Sequence, residues 1–377
     1  MFDYETLRVI WWLLLGVLLV GFAVMDGFDL GVAAIYRFIG RDDAERRALL
    51  ETIEPVWDGN QVWFILGGGA AFAAWPALYA ASFSGFYVAM FLVLLTFIVR
   101  PVGFNFRNKL TEPRWRGFWD WVLTIAGGAA CLLFGVAMGN LFLGVPFEYD
   151  SLMRPLYHGG LVGLLRPFAL LAGVVSLSML LTHGAMYAAT KSESPLAERA
   201  GRLGRWTALL CLLAFSTGGL WLTGIDGMQI TGGAAVDASS NPLNKTVALE
   251  AGAWLANYGR HPWMLIAPVL AYAGLLWAIW RSWAGRYGQA LLGSGAGVAG
   301  IVLTAGFSLF PFLLPSSIAP ASSLTVWDAS SSKTTLGIML VAVIIFMPLI
   351  LLYTAWVFRV LRGRVSLADV REHESLY

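Results

Sequence analysis

The sequence has few residues of the types from which most soluble enzymes build their active sites. Only 13% of its 377 residues are charged, and it has two cysteines and four histidines. Cys131 and Cys211 both lie in apolar segments, so they are packing residues rather than a disulfide framework or a metal site. The sequence also has no phosphate-binding loop, nucleophile elbow or metal-ligand spacing. These absences describe a scaffold or a conduit, not a self-contained catalyst.

Hydrophobic residues are abundant instead. They make up 58% of the chain, which places it in a lipid bilayer, and the net charge of +2 gives no indication of a nucleic-acid partner. Seventeen Trp and 42 Gly fit membrane helices, since Trp anchors at interfaces and Gly lets helices approach closely. Residues 2–6 are acidic and no small-residue cleavage site follows, so we expect the first apolar segment to remain as a helix.

The apolar segments predict an all-α integral membrane protein with about nine transmembrane helices, each near the ~20 residues that a bilayer requires. The second predicted helix is the weakest, because it opens with polar residues and is rich in Gly and Ala. Without it, the chain would have eight spans and both ends on one side. The predicted helices cover residues 9–36, 57–75, 79–100, 117–144, 162–190, 205–224, 262–281, 288–313 and 335–358.

The distribution of basic residues decides between the two counts. With nine spans, most of the 25 Lys and Arg lie on one side, in the loops after helices 1, 3, 5 and 7 and in the C-terminal tail. The positive-inside rule then places the N-terminus in the periplasm and the C-terminus in the cytoplasm. We expect one membrane domain over residues 1–377. Its longest loop, residues 226–260 between helices 6 and 7, would be periplasmic and would include a short interfacial helix near residues 250–258.

Ionisable side chains within the apolar segments are the main candidates for function, since such groups are costly at membrane depth. Polar residues from three consecutive helices are expected to meet near the cytoplasmic face, where a hydrated cluster would carry protons inward. The candidates are Asp26 and Asp29 on one face of the first helix, Asp58, Asn60 and Gln61 at the start of the second, and Arg100 at the end of the third.

A structural role is the alternative for the same residues. Asp29 could form a static ion pair with Arg100, and Asp58 could cap the second helix, because acids favour helix N-termini. Trp57 and Trp63 are, by residue type, interfacial or packing residues. The residues alone leave both roles open.

The histidines argue against haem ligation by this chain. His158, His261 and His373 lie in loops, in the tail or at an outer helix end, and His183 alone lies within a predicted span. A membrane b-type haem usually needs two axial ligands, and membrane methionines are mostly packing residues. We therefore expect that no haem is bound through ligands of this chain.

The order of these segments resembles that of subunit II of the cytochrome bd-type quinol oxidases of bacterial respiratory chains. The similarity covers essentially the whole chain, and it is specific because many short segments occur in the same order over a matching topology. These segments are residues 10–14, 26–29, 57–63, 72–76, 84–90, 100–101, 139–141, 144–147, 240–245, 310–312, 315–317, 324–328 and 376–377.

The resemblance implies a terminal oxidase of the bacterial inner membrane that couples quinol oxidation to the reduction of dioxygen to water. It implies a haem-bearing partner, subunit I, which carries two b-type haems and one d-type haem and packs against this subunit as a pseudo-symmetric heterodimer. It also implies a small single-helix accessory subunit, contact with membrane lipid and quinone, and a structural quinone whose position the sequence does not give.

The resemblance also assigns roles to two positions. In the family, the acid of the Trp-Asp-Gly-Asn-Gln segment lines a cytoplasmic proton path to haems at the subunit interface, and Asp58 holds that position here. The position of Trp63 is associated with a lateral oxygen route.

Two other functions remain as alternatives. One is an ion-coupled secondary transporter, although the sequence shows no paired inverted halves and its acids cluster at one face. The other is an oxidase subunit that only supports its partner. It differs from the function that the resemblance implies only in that Asp58 has no role in proton transfer.

Overall fold

The computed structural model describes residues 2–233 and 235–372, so His373 and residues 376–377 lie outside the described part of the chain. The described residues form thirteen α-helices and three two-stranded antiparallel hairpins. The helices are α1 Tyr4–Ile39, α2 Asp43–Glu51, α3 Trp57–Ala74, α4 Pro76–Gly85, α5 Tyr87–Arg107, α6 Pro113–Leu143, α7 Pro167–Lys191, α8 Leu196–Leu222, α9 Ala256–Arg260, α10 Ile266–Trp283, α11 Tyr287–Leu309, α12 Lys333–Val360 and α13 Leu367–Glu372. The strands are β1 Phe147–Tyr149, β2 Pro155–Tyr157, β3 Asp226–Gly232, β4 Thr246–Ala251, β5 Phe312–Leu314 and β6 Leu324–Thr325.

The predicted all-α membrane fold is confirmed. Eight helices of the described chain are long and apolar enough to cross a membrane, namely α1, α5, α6, α7, α8, α10 with the turn before it, α11 and α12. We call the end of the bundle where α1 stops at Ile39 the basic end, and the end where α1 starts at Tyr4 the N-terminal end.

The helix α3 crosses the bundle as well, although it is less apolar than the other eight. Near its start, Asn60 bonds to Asp29 close to the basic end of α1. At its other end, the carbonyl of Ala74 accepts from the backbone N–H of Ser331 at 2.7 Å, beside Tyr4. The 18 residues of α3 rise about 27 Å, which is close to the thickness of a hydrocarbon core.

The predicted helix over residues 79–100 is wrong in its bounds. The chain leaves the helical conformation at Trp75, the residue before Pro76, because a proline disfavours helical geometry in its predecessor. It then forms α4, breaks again at Phe86, and continues as α5 through Pro101 to Arg107. A proline inside a membrane helix is tolerated where neighbouring groups satisfy the freed backbone.

Two further elements have no counterpart in the sequence prediction. The helix α2 lies at the basic end, where the side chain of Asp42 caps it by accepting from the N–H of Glu45 at 2.8 Å. Within residues 226–260, β3 and β4 form a hairpin that was not predicted. The short helix predicted near residues 250–258 corresponds to the helical turn at 253–255 and to α9, which follows it.

The helix α1 packs against α3, α6, α7 and α11 and forms the centre of the bundle. Glycines allow α1 to cross α7 at very short distance. A Cβ atom added to Gly31 would lie 2.2 Å from the carbonyl oxygen of Leu180, and one added to Gly184 would lie 2.5 Å from the carbonyl carbon of Gly31, so neither position has room for a side chain. Such close backbone approach is how membrane helices gain packing without a hydrophobic driving force. It holds α1, with its two acids, rigidly inside the bundle.

Candidate functional site

The two acids of α1 are fully buried and are contacted by polar groups from two other helices. Arg100 of α5 donates from Nη2 to Oδ1 of Asp26 at 2.8 Å. Asn60 of α3 donates from Nδ2 to Oδ2 of Asp29, also at 2.8 Å. We call these four residues the acid cluster. The structure therefore brings together four of the six side chains that the sequence predicted to meet.

The pairing within the acid cluster differs from the static pair considered above. Arg100 bonds to Asp26, whereas Asp29, three residues further along α1, faces α3 and accepts from Asn60. The guanidinium of Arg100 also lies near the rings of Phe97 and Trp57, with its Cζ 5.3 Å and 5.7 Å from their centroids. Sequence spacing puts both acids on one face of α1 but does not say which of them meets the arginine.

The acid cluster is electrically unbalanced when both acids are ionised, since it then holds two carboxylates and one guanidinium. Several of its polar atoms have no hydrogen-bond partner among the described residues, namely Oδ2 of Asp26, Oδ1 of Asp29 and Nε and Nη1 of Arg100. A buried excess charge is costly unless a proton, water or another group compensates it. The arrangement is thus suited to take up a proton or to bind water.

Asp58 lies on the other side of α3 from Asn60 and is exposed. Two residues advance a helix by about 200°, so Asp58 points outward where Asn60 points to Asp29. Asp58 is not the N-cap of α3, since that position belongs to Val56, which provides no side-chain cap. Glu54, four residues before Asp58 and just outside α3, has its pKa raised to about 7 by burial and by the nearby Glu51 carboxylate.

The other two predicted residues of this segment do not join the acid cluster. Gln61 is half-buried. Trp63 is 7% exposed and lies flat against α1, where a Cβ added to Gly21 would be only 2.3 Å from its ring. The contacts of Trp63 are those of a packing residue.

Asp58 stands at the basic end of a helix face that is otherwise apolar and exposed. In α12, Leu336 is the one buried residue among those described. We call this surface the α3–α5–α12 face. Its large exposed apolar residues include Val62, Ile65 and Phe72 of α3, Phe91, Leu94 and Ile98 of α5, and Ile338, Ile345, Leu352 and Trp356 of α12.

Sequence reasoning missed a second charged group, at the basic end. Asp120 of α6 is 1% exposed, and its Oδ1 accepts from Arg107 Nε at 2.6 Å and from the Tyr36 hydroxyl at 3.0 Å. Its Oδ2 accepts from Arg46 at 3.1 Å, and Arg107 also donates to Asp43 at 2.8 Å. These bonds tie the ends of α1, α2, α5 and α6 together. The available indication was an acid within the predicted span 117–144.

Two of the resemblance segments meet at the N-terminal end and fix its loops. Lys245 Nζ lies 2.9 Å from Asp328 Oδ2. Burial lowers the pKa of Lys245 and raises that of Asp328, while the mutual attraction of the pair opposes both shifts. Arg8, fully buried, donates to Ser330 Oγ at 2.7 Å and to the carbonyl of Ala238 at 2.9 Å. These residues are structural.

His183 lies inside α7 with both ring nitrogens bonded to protein. Nδ1 is 2.8 Å from Ser294 Oγ, and Nε2 is 2.9 Å from the carbonyl oxygen of Val24. Among the described residues, no group of three His, Cys, Asp or Glu could hold a metal ion.

A large apolar cavity of about 570 Å³ lies among α1, α3, α6, α7, α8, α10 and α11. About half of its lining residues are phenylalanine, leucine or methionine. Tyr258 and Ser308 supply hydroxyl groups, and the Tyr258 hydroxyl donates to the carbonyl of Thr304 at 3.0 Å. The cavity has the character of a site for an apolar molecule with a few polar atoms.

Comparison with known proteins decides the family. Residues 7–361 match the model of the family described as cytochrome bd terminal oxidase subunit II. The chain belongs to this family. It is 48% identical over 379 residues to cytochrome bd-I ubiquinol oxidase subunit 2 of Escherichia coli (strain K12), with 100% of both chains covered. It is 46% identical, again over 100% of both chains, to the probable cytochrome oxidase subunit 2 of Haemophilus influenzae.

More distant relatives agree with this assignment. The chain is 30% identical to cytochrome bd ubiquinol oxidase subunit 2 of Bacillus subtilis over 96% of its length and 97% of that relative. Its fold matches a chain of the bd oxidase from Geobacillus thermodenitrificans with a TM-score of 0.68, covering 94% of this chain and 98% of that one at 16% identity. That last likeness concerns the fold alone.

Family membership confirms the predicted resemblance. This bd oxidase subunit II is therefore a component of a quinol oxidase complex and a multi-pass protein of the bacterial inner membrane. The secondary transporter left open by the residues is set aside, because the whole chain matches oxidase subunits.

Proposed function

We propose that this subunit II carries no haem, docks a haem-bearing subunit I through the α3–α5–α12 face, and supplies a cytoplasmic proton entry route to that partner. The complex would couple quinol oxidation to the reduction of dioxygen to water. The observation that carries the proposal is the position of Asp58, a carboxylate exposed at the basic end of an apolar helix face. Lipid does not solvate such a group well, so a partner subunit with water is its fitting neighbour.

The histidine contacts support the haem-free part of the proposal. A ring nitrogen must be free to ligate iron, and both nitrogens of His183 bond to Ser294 and Val24 instead. His158 pairs with Glu148 at 3.0 Å in an exposed hairpin. Family resemblance alone supports the two b-type haems and one d-type haem of subunit I and the small single-helix accessory subunit.

His183→Gln in the assembled oxidase is expected to leave the haem absorbance per complex unchanged, because the partner would provide every axial ligand. The measurement is the reduced-minus-oxidised spectrum of purified complex, normalised to protein, with His261→Gln as the matched control. Loss of one haem from the His183 variant but not from the His261 variant would contradict the haem-free assignment.

The proton route is supported by the first turn of α3, which lies between the exposed Asp58 and the buried acid cluster. Asp58 faces the proposed partner, and Asn60 in the same turn bonds to Asp29 of the acid cluster. Glu54, with its pKa of about 7, can both accept and donate a proton near neutral pH. The positive-inside rule orients the basic end toward the cytoplasm, where protons for oxygen reduction would enter. Gln61 and Arg100 would help to hold water and charge along the route.

For Trp63, the contacts support packing against Gly21, and the lateral oxygen route stays a prediction from the resemblance.

The structural quinone implied by the resemblance would occupy the apolar cavity. Its volume of about 570 Å³ and its apolar wall suit a quinone ring with part of a prenyl tail. The Ser308 hydroxyl group lines the cavity and could donate a hydrogen bond to a ring carbonyl, whereas the Tyr258 hydroxyl already donates to Thr304.

Ala305→Phe is expected to remove most of the quinone that co-purifies with the oxidase, because the added ring would fill part of the cavity that Ala305 lines. The measurement is quinone per haem in solvent extracts of purified complex. Ala273→Phe, at an exposed site on the neighbouring α10, is the control and should retain the quinone. Equal quinone content in both variants would place the quinone elsewhere.

A further inference from the structure

A second cavity, polar and open, lies at the basic end of the bundle, away from the acid cluster. Its volume is about 490 Å³, and it is formed by the α7–α8 connection, the α10–α11 connection and the segment after α12. Three arginines line it, Arg202, Arg205 and Arg364, and Glu198 is the one carboxylate in its wall among the described residues. We call it the arginine cavity.

The arginines of this cavity are not neutralised by acids in the way that Arg46, Arg107 and Arg116 at the same end are. Arg107, for comparison, bonds to both Asp120 and Asp43. Among the side chains that the structure describes, no acid lies within 4.0 Å of the guanidinium nitrogens of Arg202, Arg205 or Arg364. The cavity therefore carries a net positive charge, which favours the binding of an anion.

Hydrogen-bond donors without partners face the same space. Ser192 lines the cavity, is 2% exposed, and has a hydroxyl group with no partner among the described residues. The first turns of two long helices also line it, at Ala197 of α8 and Tyr287 of α11. Neither helix has a side-chain cap, although the Ala197 N–H itself donates to the Glu193 carbonyl at 2.9 Å. Uncapped helix N-termini offer backbone N–H groups and a positive dipole end to an anion.

An aromatic surface beside the cavity identifies the kind of anion. Trp283 lines the cavity and is 72% exposed, with the guanidinium of Arg205 at 4.3 Å from its ring centroid. Trp280 and Trp277 on α10 are 56% and 46% exposed, and Trp206 on α8 is 68% exposed. Exposed tryptophans at the end of membrane helices lie at the level of lipid headgroups. A free anion in water gains nothing from an exposed aromatic surface, whereas the acyl chains of a lipid can pack against it.

We propose that the arginine cavity binds the phosphate headgroup of an anionic phospholipid from the leaflet at the basic end. Arg202 and Arg205 would contact the phosphate oxygens, the Ser192 hydroxyl would donate to one of them, and the acyl chains would lie along the tryptophan-bearing surfaces of α8 and α10. Basic pockets between membrane helices on the cytoplasmic side are a known setting for lipid headgroups. The cavity shares no residue with the acid cluster or with the exposed residues named for the α3–α5–α12 face.

The test is native mass spectrometry of the assembled oxidase, titrated with phosphatidylglycerol or with phosphatidylcholine of the same acyl chains. The double variant Arg202→Gln/Arg205→Gln is expected to bind phosphatidylglycerol about tenfold more weakly, with phosphatidylcholine binding unchanged. The matched control, Lys109→Gln/Arg114→Gln, removes the same charge from exposed residues at the same end and should bind like the unmodified complex.

A third variant guards against a general folding defect. Glu198→Gln removes the carboxylate from the cavity wall and is expected to bind phosphatidylglycerol a few times more tightly, which a misfolded protein would not do. The proposal is overturned if both double variants lose affinity equally, or if Glu198→Gln weakens binding. It is also overturned if inorganic phosphate at millimolar concentration displaces the lipid completely, since the site would then be one for free phosphate.

Discussion

Replacing Arg100 with methionine is expected to lower the amount of assembled oxidase severely, by destabilising this subunit by about 3–5 kcal/mol. Arg100 is 1% exposed and donates to Asp26 at 2.8 Å inside the membrane. Removing it leaves two buried carboxylates, Asp26 and Asp29, without their cation, which is far costlier than losing a surface ion pair. The measurements are the amount of complex in membranes and the unfolding midpoint of the purified complex.

A companion variant separates the loss of charge balance from the loss of packing. Asp26→Asn/Arg100→Gln keeps two polar side chains of similar size but carries no buried charge at either position, so it should recover most of the lost stability. Arg114→Gln, at an exposed position of the same membrane end, should have no effect. If Arg100→Met alone were as stable as the unmodified chain, the acid cluster would be hydrated and the ion pair unimportant.

The double variant also tests whether the acid cluster is functional or static. It removes one of the two acids and the cation while the helices stay packed, so any remaining defect belongs to chemistry rather than to folding. Normal oxygen reduction in a fully assembled Asp26→Asn/Arg100→Gln complex would make the cluster a structural feature. A slowed rate with normal assembly is the result expected if the cluster conducts protons.

The order of the membrane spans and the four members of the acid cluster could be predicted from local sequence, although Asp58 and Gln61 were predicted to join the cluster and do not. Apolar length gives the spans, alternating direction gives their ends, and three-residue spacing puts Asp26 and Asp29 on one face of α1. The partner of each acid could not be predicted. That depends on the rotation of α3 and α5 about their axes, and for α3 the packing of Trp63 against Gly21 helps to set it.

Asp120 shows why the rest of the charged network was missed. Its partners come from three other segments, Tyr36 of α1, Arg46 of α2 and Arg107 of α5, and no spacing within the sequence connects them. The helix α2 itself is only nine residues long and mostly polar, so it gives no membrane span. Contacts between such distant segments become visible only when the bundle has formed.

The outward direction of Asp58 likewise could not be read from its segment. Asp58 and Asn60 stand two residues apart in one polar run, yet one faces outward and the other faces Asp29. When a functional site lies between two polypeptides, part of it is exposed in each chain alone. The sequence of one chain does not show which of its residues the partner covers. The exposed carboxylate on an apolar face is therefore a finding of the structure.

Asp58→Asn is expected to slow oxygen reduction on the order of 10²-fold, the lower end of what a positioned proton-transfer group contributes, while assembly and haem content stay normal. Asparagine keeps the size and polarity of the side chain at an exposed position, so the fold should not respond. The measurements are oxygen consumption per haem and proton uptake in inverted membrane vesicles, where the cytoplasmic face is outside. Asp58→Glu, which keeps a carboxyl group, should recover part of the rate.

The matched control is Asp42→Asn, which removes an exposed acid at the same membrane end without touching the α3–α5–α12 face. Asparagine caps a helix as well as aspartate does, so α2 should remain intact. If Asp58→Asn and Asp42→Asn both turn over at the normal rate, Asp58 is only part of a docking surface and this subunit supports its partner without conducting protons. If Asp58→Asn alone is slow, and its proton uptake from the outside of inverted vesicles falls in proportion, the basic end faces the cytoplasm and protons enter beside α3.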